Sequence, residues 1–145
     1  MADELPDVLA SRLGYLLKHA QQRLVQASVP AMAPFGIDGR ELAVLAVLAA
    51  ETPMSQQEAA DQLGVDRTTM VALVDTLEGK GLVERHRSPQ DRRKNIVQLT
   101  TAGRDCFSGA GLARAEVERE FLVPLGGVLE RQFIRALQIL ASTPS

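Results

Sequence analysis

The stretch SQQEAADQLGVDRTTMVALVDTLEGKGLVERHRSPQDRRKNIVQLT, residues 55–100, decides the fold. Ser55 followed three positions later by Glu58 is a capping box, in which each side chain satisfies a backbone N–H that the first helical turn leaves unpaired. The helix it opens runs to about Leu63 and stops at Gly64, because glycine enters the left-handed region without a Cβ clash. Asp66 is a second N-cap, and the helix behind it reaches Glu78, closed by Gly79 or Gly81. Ala59, Leu63, Val65, Met70, Leu73, Val74 and Leu77 fall on one packed side. Arg67, Thr68, Thr69 and Ala72 are left on or near the other. Two helices joined by so tight a turn make a helix-turn-helix. Two runs of β-formers follow, Leu82 to His86 and Asn95 to Leu99, and the polar segment Arg87 to Lys94 between them reads as the tip of a hairpin.

Outward from this stretch the chain is helical. Leu9, Leu13, Leu16, Leu17, Ala20 and Leu24 recur at three- and four-residue steps and predict a first helix over Leu5–Ala27. Pro30, Pro34 and Gly36 then predict a loop. Asp38 with Glu41 repeats the capping-box spacing ahead of a helix over Gly39–Ala50, apolar nearly all round and so expected to be buried. Thr100 or Thr101 caps a long helix through Phe121, and Pro124 with Gly126 and Gly127 interrupts it. The last helix carries Leu125, Val128, Leu129, Phe133, Ala136, Leu137 and Leu140 on one stripe. The stripes of the two terminal helices pack against each other or against a second subunit.

Composition narrows the function classes. With 46% hydrophobic residues but only 3% aromatics and no Trp in 145 residues, the core is built from Leu, Val and Ala, which favours packed helices over a sandwich or barrel. No apolar run approaches the ~20 residues of a membrane helix. The acidic start Met1–Asp7 lacks the pattern of a secretory signal. Cys106 is the only cysteine, so neither an internal disulfide nor a cysteine-based zinc site is expected, and the chain reads as intracellular, hence cytoplasmic. The net charge of −2 argues at first against a polyanionic partner. Local density matters more. From Lys80 to Arg104 stand Lys80, Arg85, Arg87, Arg92, Arg93, Lys94 and Arg104 against Glu84 and Asp91 alone, a segment of +5 inside an acidic chain.

That charge sits beside the helix-turn-helix. In such a unit the second helix enters the major groove of DNA with its early residues at the base edges. Hydroxyls of Ser55, Thr68 and Thr69 and the amide of Gln56 suit phosphates or bases, Arg67 suits guanine, and Ala72 suits a thymine methyl. Arg85, Arg87, Arg92, Arg93 and Lys94 suit phosphate and the narrow minor groove, with Asp91 orienting one of the arginines. The sequence at this point resembles the multiple-antibiotic-resistance regulator (MarR) family. The resemblance lies in LGVDRTT (63–69), LVDTLEGKGLVER (73–85), the Asp91-Arg92-Arg93 triplet and VQLTTAG (97–103).

The resemblance implies a mostly α fold with a small β-hairpin wing, a winged helix-turn-helix core flanked by N- and C-terminal dimerisation helices. It is one domain over residues 1–145, with dimerisation helices at about 5–36 and 101–141 and the DNA-binding lobe at about 38–100. It implies a homodimer that binds double-stranded DNA at a pseudo-palindromic operator, a repressor by role. By matching position, Arg93 is the minor-groove arginine, Asp91 its partner, and Asp66, Arg67, Thr68 and Thr69 open the recognition helix. A small aromatic or phenolic effector in a cleft between the dimer helices and the DNA-binding lobe is implied as well. The chain departs from the family at Val71 and Ala72, where relatives often carry a polar pair, so base readout here leans on Arg67, Thr68, Thr69 and DNA shape.

Other residues carry weaker signals. Tyr15 and His19, four apart on the first helix, are candidate effector ligands, and a solvated or interfacial pair is an equal reading. Neither His19 nor His86 has metal-ligand company, so no metal and no cofactor are expected. His86 suits the base of the wing. Cys106 reads as a small apolar residue rather than a redox sensor. No Gly-rich phosphate loop, nucleophile elbow or zinc spacing supports an enzyme. The alternative to operator binding is a winged helix that docks proteins, against which the adjacent cations Arg92, Arg93 and Lys94 argue.

Overall fold

A computed structural model describes residues 5–50 and 52–144. Its helices are α1 (Leu13–Met32), α2 (Gly39–Leu48), α3 (Gln56–Leu63), α4 (Arg67–Gly79), α5 (Thr101–Leu122) and α6 (Gly126–Ser142). Strands β1 (Met54–Ser55), β2 (Val83–Arg87) and β3 (Asn95–Leu99) form an antiparallel sheet in the order β1-β3-β2. Two 3-10 turns, Ala33–Phe35 and Val123–Leu125, follow α1 and α5. The mostly helical fold with a hairpin wing is as the sequence predicts, with β1 added to it.

Two helix bounds differ from expectation. α1 starts at Leu13 rather than Leu5, because the Pro6 carbonyl accepts the N–H groups of Leu9 (2.8 Å) and Ala10 (3.0 Å) and closes separate turns ahead of the helix. α1 also continues through Pro30 to Met32. Proline in the last turn removes one rung of the ladder, and the helix ends two residues later.

The chain divides into two compact units. The central one is Ser28–Arg114; the other joins the described residues up to Ala27 with those from Ala115 onward. The central unit holds the core. Leu42, Val44, Leu45 and Leu48 of α2, Met70, Leu73, Val74 and Leu77 of α4, and Val83, Val97 and Leu99 of the sheet are all buried. Strand register explains the last three. Val83 pairs with Leu99 and Arg85 with Val97, so these side chains share the inner face, while Glu84 and His86 point outward. In the terminal unit, by contrast, no described residue is buried.

Local chemistry sets the helix ends. Asp38 and Glu41 form the expected reciprocal box, with Glu41 N donating to Asp38 Oδ1 at 2.9 Å and Asp38 N to Glu41 Oε1 at 3.1 Å. Ser55 and Glu58 do the same at 3.1 and 3.3 Å. Gly64 takes φ +66°, which turns the chain from α3 into α4 within two residues.

The other oxygen of Glu41 ties α2 to the end of α4. Lys80 Nζ donates to Glu41 Oε2 and to the Gly36 carbonyl, each at 2.7 Å, and the Glu41 side chain is buried. Removing a partner from a buried carboxylate leaves it unpaired, which costs far more than losing a surface pair. Lys80→Met is therefore expected to destabilise the central unit by about 2 kcal/mol, between those limits because the lysine is part-exposed. Urea unfolding measures it; a change under about 0.5 kcal/mol would contradict the assignment.

Candidate nucleic-acid interface

One groove brings together five of the side chains that the sequence singled out, Ser55, Gln56, Arg67, Arg93 and Lys94. Ser55, Gln56, Gln57 and Glu58 at the start of α3, Arg67 at the start of α4, and Arg93, Lys94 and Asn95 at the wing base line it. Two helix N-termini open beside it, and the unpaired N–H groups there favour an anion. Asp66 caps α4 by accepting the Thr69 N–H at 2.7 Å. That backbone bond, with the Thr69 hydroxyl second, holds the Asp66 carboxyl below its ordinary pKa. Its stabilisation is complete above the unfolded pKa and is lost as pH falls through the lowered folded value, so the cap is intact at neutral pH.

The outward face of α4 carries Arg67, Thr68, Ala72, Asp75 and Thr76, all exposed; Thr69 and Val71 are half-buried. A helix of this length is about 20 Å long, enough to lie along a major groove. Thr76 donates its hydroxyl to the Ala72 carbonyl at 3.0 Å. The first turn thus offers polar groups and the second offers methyls.

Not every predicted cation faces outward. Arg85 lies on the inner face of β2, where its guanidinium meets Asp75 at 2.6 Å, Glu78 at 3.1 Å and Gln56 Oε1 at 3.3 Å. Its side chain is only 20% exposed. Arg85 therefore staples β2 to α4 at the base of the hairpin, its single charge shared between two acids. Gln56, which its place in the sequence suits to a base or phosphate, is drawn into the same network. Ser55 spends its hydroxyl on the α3 cap and is buried.

The cations at the wing tip are differently placed. Among the described residues no carboxylate lies within ion-pair distance of Arg67, Arg87, Arg92 or Lys94. Arg93 is 96% exposed, with its Nε 4.0 Å from Asp91 Oδ1. The same oxygen accepts the Arg93 N–H at 3.0 Å, so Asp91 shapes the backbone under Arg93 as well as facing its side chain. His86 pairs with Glu84 at 3.1 Å on the outer face of the sheet, away from the groove.

The remaining candidates fall elsewhere. Tyr15 and His19 stack with ring centroids 5.4 Å apart and an interplanar angle of 19°. His19, Leu16, Arg23, Phe121 and Pro124 line a groove in the terminal unit, and Tyr15 is not among its lining residues. Cys106 lies in the central unit with its thiol 3.8 Å from the Phe35 carbonyl. Burial, and next the Glu41 carboxylate, push that thiol above its ordinary pKa, which keeps it in the unreactive form at neutral pH. Two residues with structural roles escaped the sequence reading: Ser88, buried in the wing, and Gly103, against which Leu82 packs. The spacing of Thr100 and Gly103 within VQLTTAG was the available signal for the second.

Comparison with known proteins agrees with this geometry. The MarR family profile matches residues 35–94. The chain is 31% identical over 101 residues to the HTH-type transcriptional repressor NicR of Pseudomonas putida, an alignment spanning 70% of this chain and 64% of NicR. The chain thus spans somewhat less than two thirds of that relative. The transcriptional repressor CouR bound to a 23-mer DNA duplex superposes with a TM-score of 0.85 at 35% identity, covering 97% of this chain and 99% of CouR. CouR bound to p-coumaroyl-CoA gives 0.86 at 33% identity over 97% and 100%.

Proposed function

The chain belongs to the MarR family, and on that premise we propose that it is a transcriptional repressor that binds a pseudo-palindromic operator in double-stranded DNA as a homodimer. The observation that carries the reading is the groove where Arg67, Arg93 and Lys94 meet the N-termini of α3 and α4. It matches what a phosphate backbone needs, and α4 supplies a face for the major groove beside it. CouR, the DNA-bound relative at 35% identity, supports the same use of the fold. The terminal unit supports the dimer: it lacks any buried described residue, and Leu13, Leu17, Val25, Val128, Leu129 and Leu140 are exposed in it. So many exposed large apolar side chains in a unit without a buried described residue mark a surface that a partner covers. The chain acts as a binder rather than an enzyme, in the cytoplasm; no helix among the described residues is long and apolar enough to cross a membrane.

The test is duplex binding followed by anisotropy as salt is raised. Each phosphate neutralised contributes about −0.9 to the slope of log K against log salt, so a dimer using Arg67, Arg87, Arg92 and Lys94 on each half-site gives a steep line. Arg93→Ala is expected to weaken the operator complex by ~1–3 kcal/mol, as a groove arginine does. Unchanged affinity would remove Arg93 from the site.

An aromatic effector is the second reading. The Tyr15–His19 stack and the groove of Leu16, His19, Arg23 and Phe121 offer ring faces beside a cation, and CouR, a relative at 33% identity, binds p-coumaroyl-CoA. Thermal shift against hydroxycinnamic and hydroxybenzoic acids tests it. A stabilising acid that loses its effect in His19→Ala supports the reading, and a panel without any shift contradicts it.

A further inference from the structure

The wing tip is organised by a side chain that carries no charge. Ser88, directly after β2, is 6% exposed, although Arg87 and Pro89 on either side of it are exposed. Its N–H donates to the Lys94 carbonyl at 2.9 Å and closes the two ends of the loop. Its hydroxyl oxygen accepts the N–H groups of Gln90 and Asp91, each at 3.3 Å, and donates to Gln90 Oε1 at 3.2 Å. Asp91 continues the pattern: its carbonyl accepts the Lys94 N–H at 3.0 Å, and its carboxylate accepts that of Arg93. Pro89, Gln90, Arg92, Arg93 and Lys94 are all exposed, so burial contributes little to holding them. The shape of residues 88–94 rests on these hydrogen bonds, and two of the inward ones converge on a single hydroxyl oxygen.

We propose that Ser88 is a positioning residue for DNA binding, holding the wing in the form that presents Arg93 before any DNA arrives. The inference rests on the DNA-binding reading above. A loop ordered only on contact charges its conformational entropy to the binding step, and fixing one residue's backbone is worth roughly a factor of ten in affinity. Ser88 removes that cost in advance. It touches no DNA itself, since its hydroxyl points into the loop and is already engaged.

Binding to a duplex selected by the parent chain is measured by anisotropy for the parent, Ser88→Ala, Ser88→Thr, Arg93→Ala and the double variant S88A/R93A. Backbone amide exchange of Gln90 and Asp91 is followed in the free proteins. Ser88→Ala is expected to bind about tenfold more weakly, to exchange both amides faster, and to lower the thermal midpoint by no more than a few degrees, since the bonds lost hold only the loop. Ser88→Thr, which keeps the hydroxyl, is expected to retain most of the affinity. In the Arg93→Ala background, Ser88→Ala is expected to add little, because the arginine it positions is gone. Parental affinity in Ser88→Ala, unchanged amide exchange, or losses that multiply in full in the double variant would each overturn the proposal. So would a fall in thermal midpoint as large as a core cavity produces, which would make Ser88 a general stability residue. A parent chain that retains no duplex at low salt overturns the DNA-binding reading itself, whereas a parent that binds with Ser88→Ala unimpaired overturns the Ser88 role alone.

Discussion

Replacing Gly103 by alanine is expected to destabilise the central unit by about 3 kcal/mol and lower its thermal midpoint by roughly 15 °C. Helix propensity alone gives the opposite sign, since alanine is better than glycine inside a helix by about 1 kcal/mol. Packing decides. A Cβ on Gly103 would lie 1.9 Å from the Leu82 carbonyl oxygen and 3.0 Å from its carbon, both backbone atoms that no rotamer change can move aside. The same carbonyl accepts the Thr100 N–H at 3.1 Å, and Thr100 Oγ1 donates to Gly81 O at 2.7 Å while accepting the Gly103 N–H at 3.0 Å. Relief of the clash therefore breaks the knot that joins the start of α5 to the entry of β2. Gly111, in the same helix with open space where its Cβ would go, is the control: Gly111→Ala is expected to be neutral or stabilising by up to about 1 kcal/mol. Thermal unfolding of both variants checks the pair; equal midpoints for the two would contradict the account.

Charging the stripe of α6 is expected to have the larger functional effect. Leu129 and Leu140 are 51% and 66% exposed, and eleven residues is three helical turns, so they lie on one line along the helix. Two aspartates at a symmetric interface put four carboxylates where apolar side chains met, adding the cost of burying unpaired charge to the loss of apolar burial. The variant L129D/L140D is expected to sediment as a monomer and to lose operator affinity by a factor on the order of 10² or more, because each lobe then binds its half-site without the other tethered beside it. The wing and recognition helix belong to the central unit, so the residual binding keeps a salt dependence with roughly half the parent slope. A dimer that survives, or a monomer with parental operator affinity, would contradict this part of the account.

Features encoded by local spacing were legible in the sequence. The caps at Asp38, Ser55 and Asp66 and the Gly64 turn each depend on residues no more than three apart, and they set where α2, α3 and α4 begin. The hairpin was legible from its β-formers. β1 was not, because two residues carry no periodicity, and Met54 and Ser55 become a strand only by pairing with Val97 and Ile96. Arg85 shows the same limit in chemistry. In a run of cations it reads as a phosphate ligand, and only the β2–β3 register turns it inward to acids on α4. Lys80 likewise finds its carboxylate 39 residues away on α2. The +5 of the segment thus overstates the charge offered to DNA, since Lys80 and Arg85 are spent on acids of the central unit. Arg87, Arg92, Arg93 and Lys94 of the wing are left, with Arg67 of α4 beside them. α1 was misplaced at its start because Leu9 fits a helical stripe and a pair of Pro6 turns equally well.

The most direct test of the central claim is selection of duplexes from a random library by the full chain at moderate salt, followed by sequencing of what is retained. The expected result is enrichment of an inverted repeat whose half-sites lie about one helical turn apart, centre to centre, bound by two chains per duplex. Retention of no duplex even at low salt, or of duplexes without any shared repeat, would contradict it.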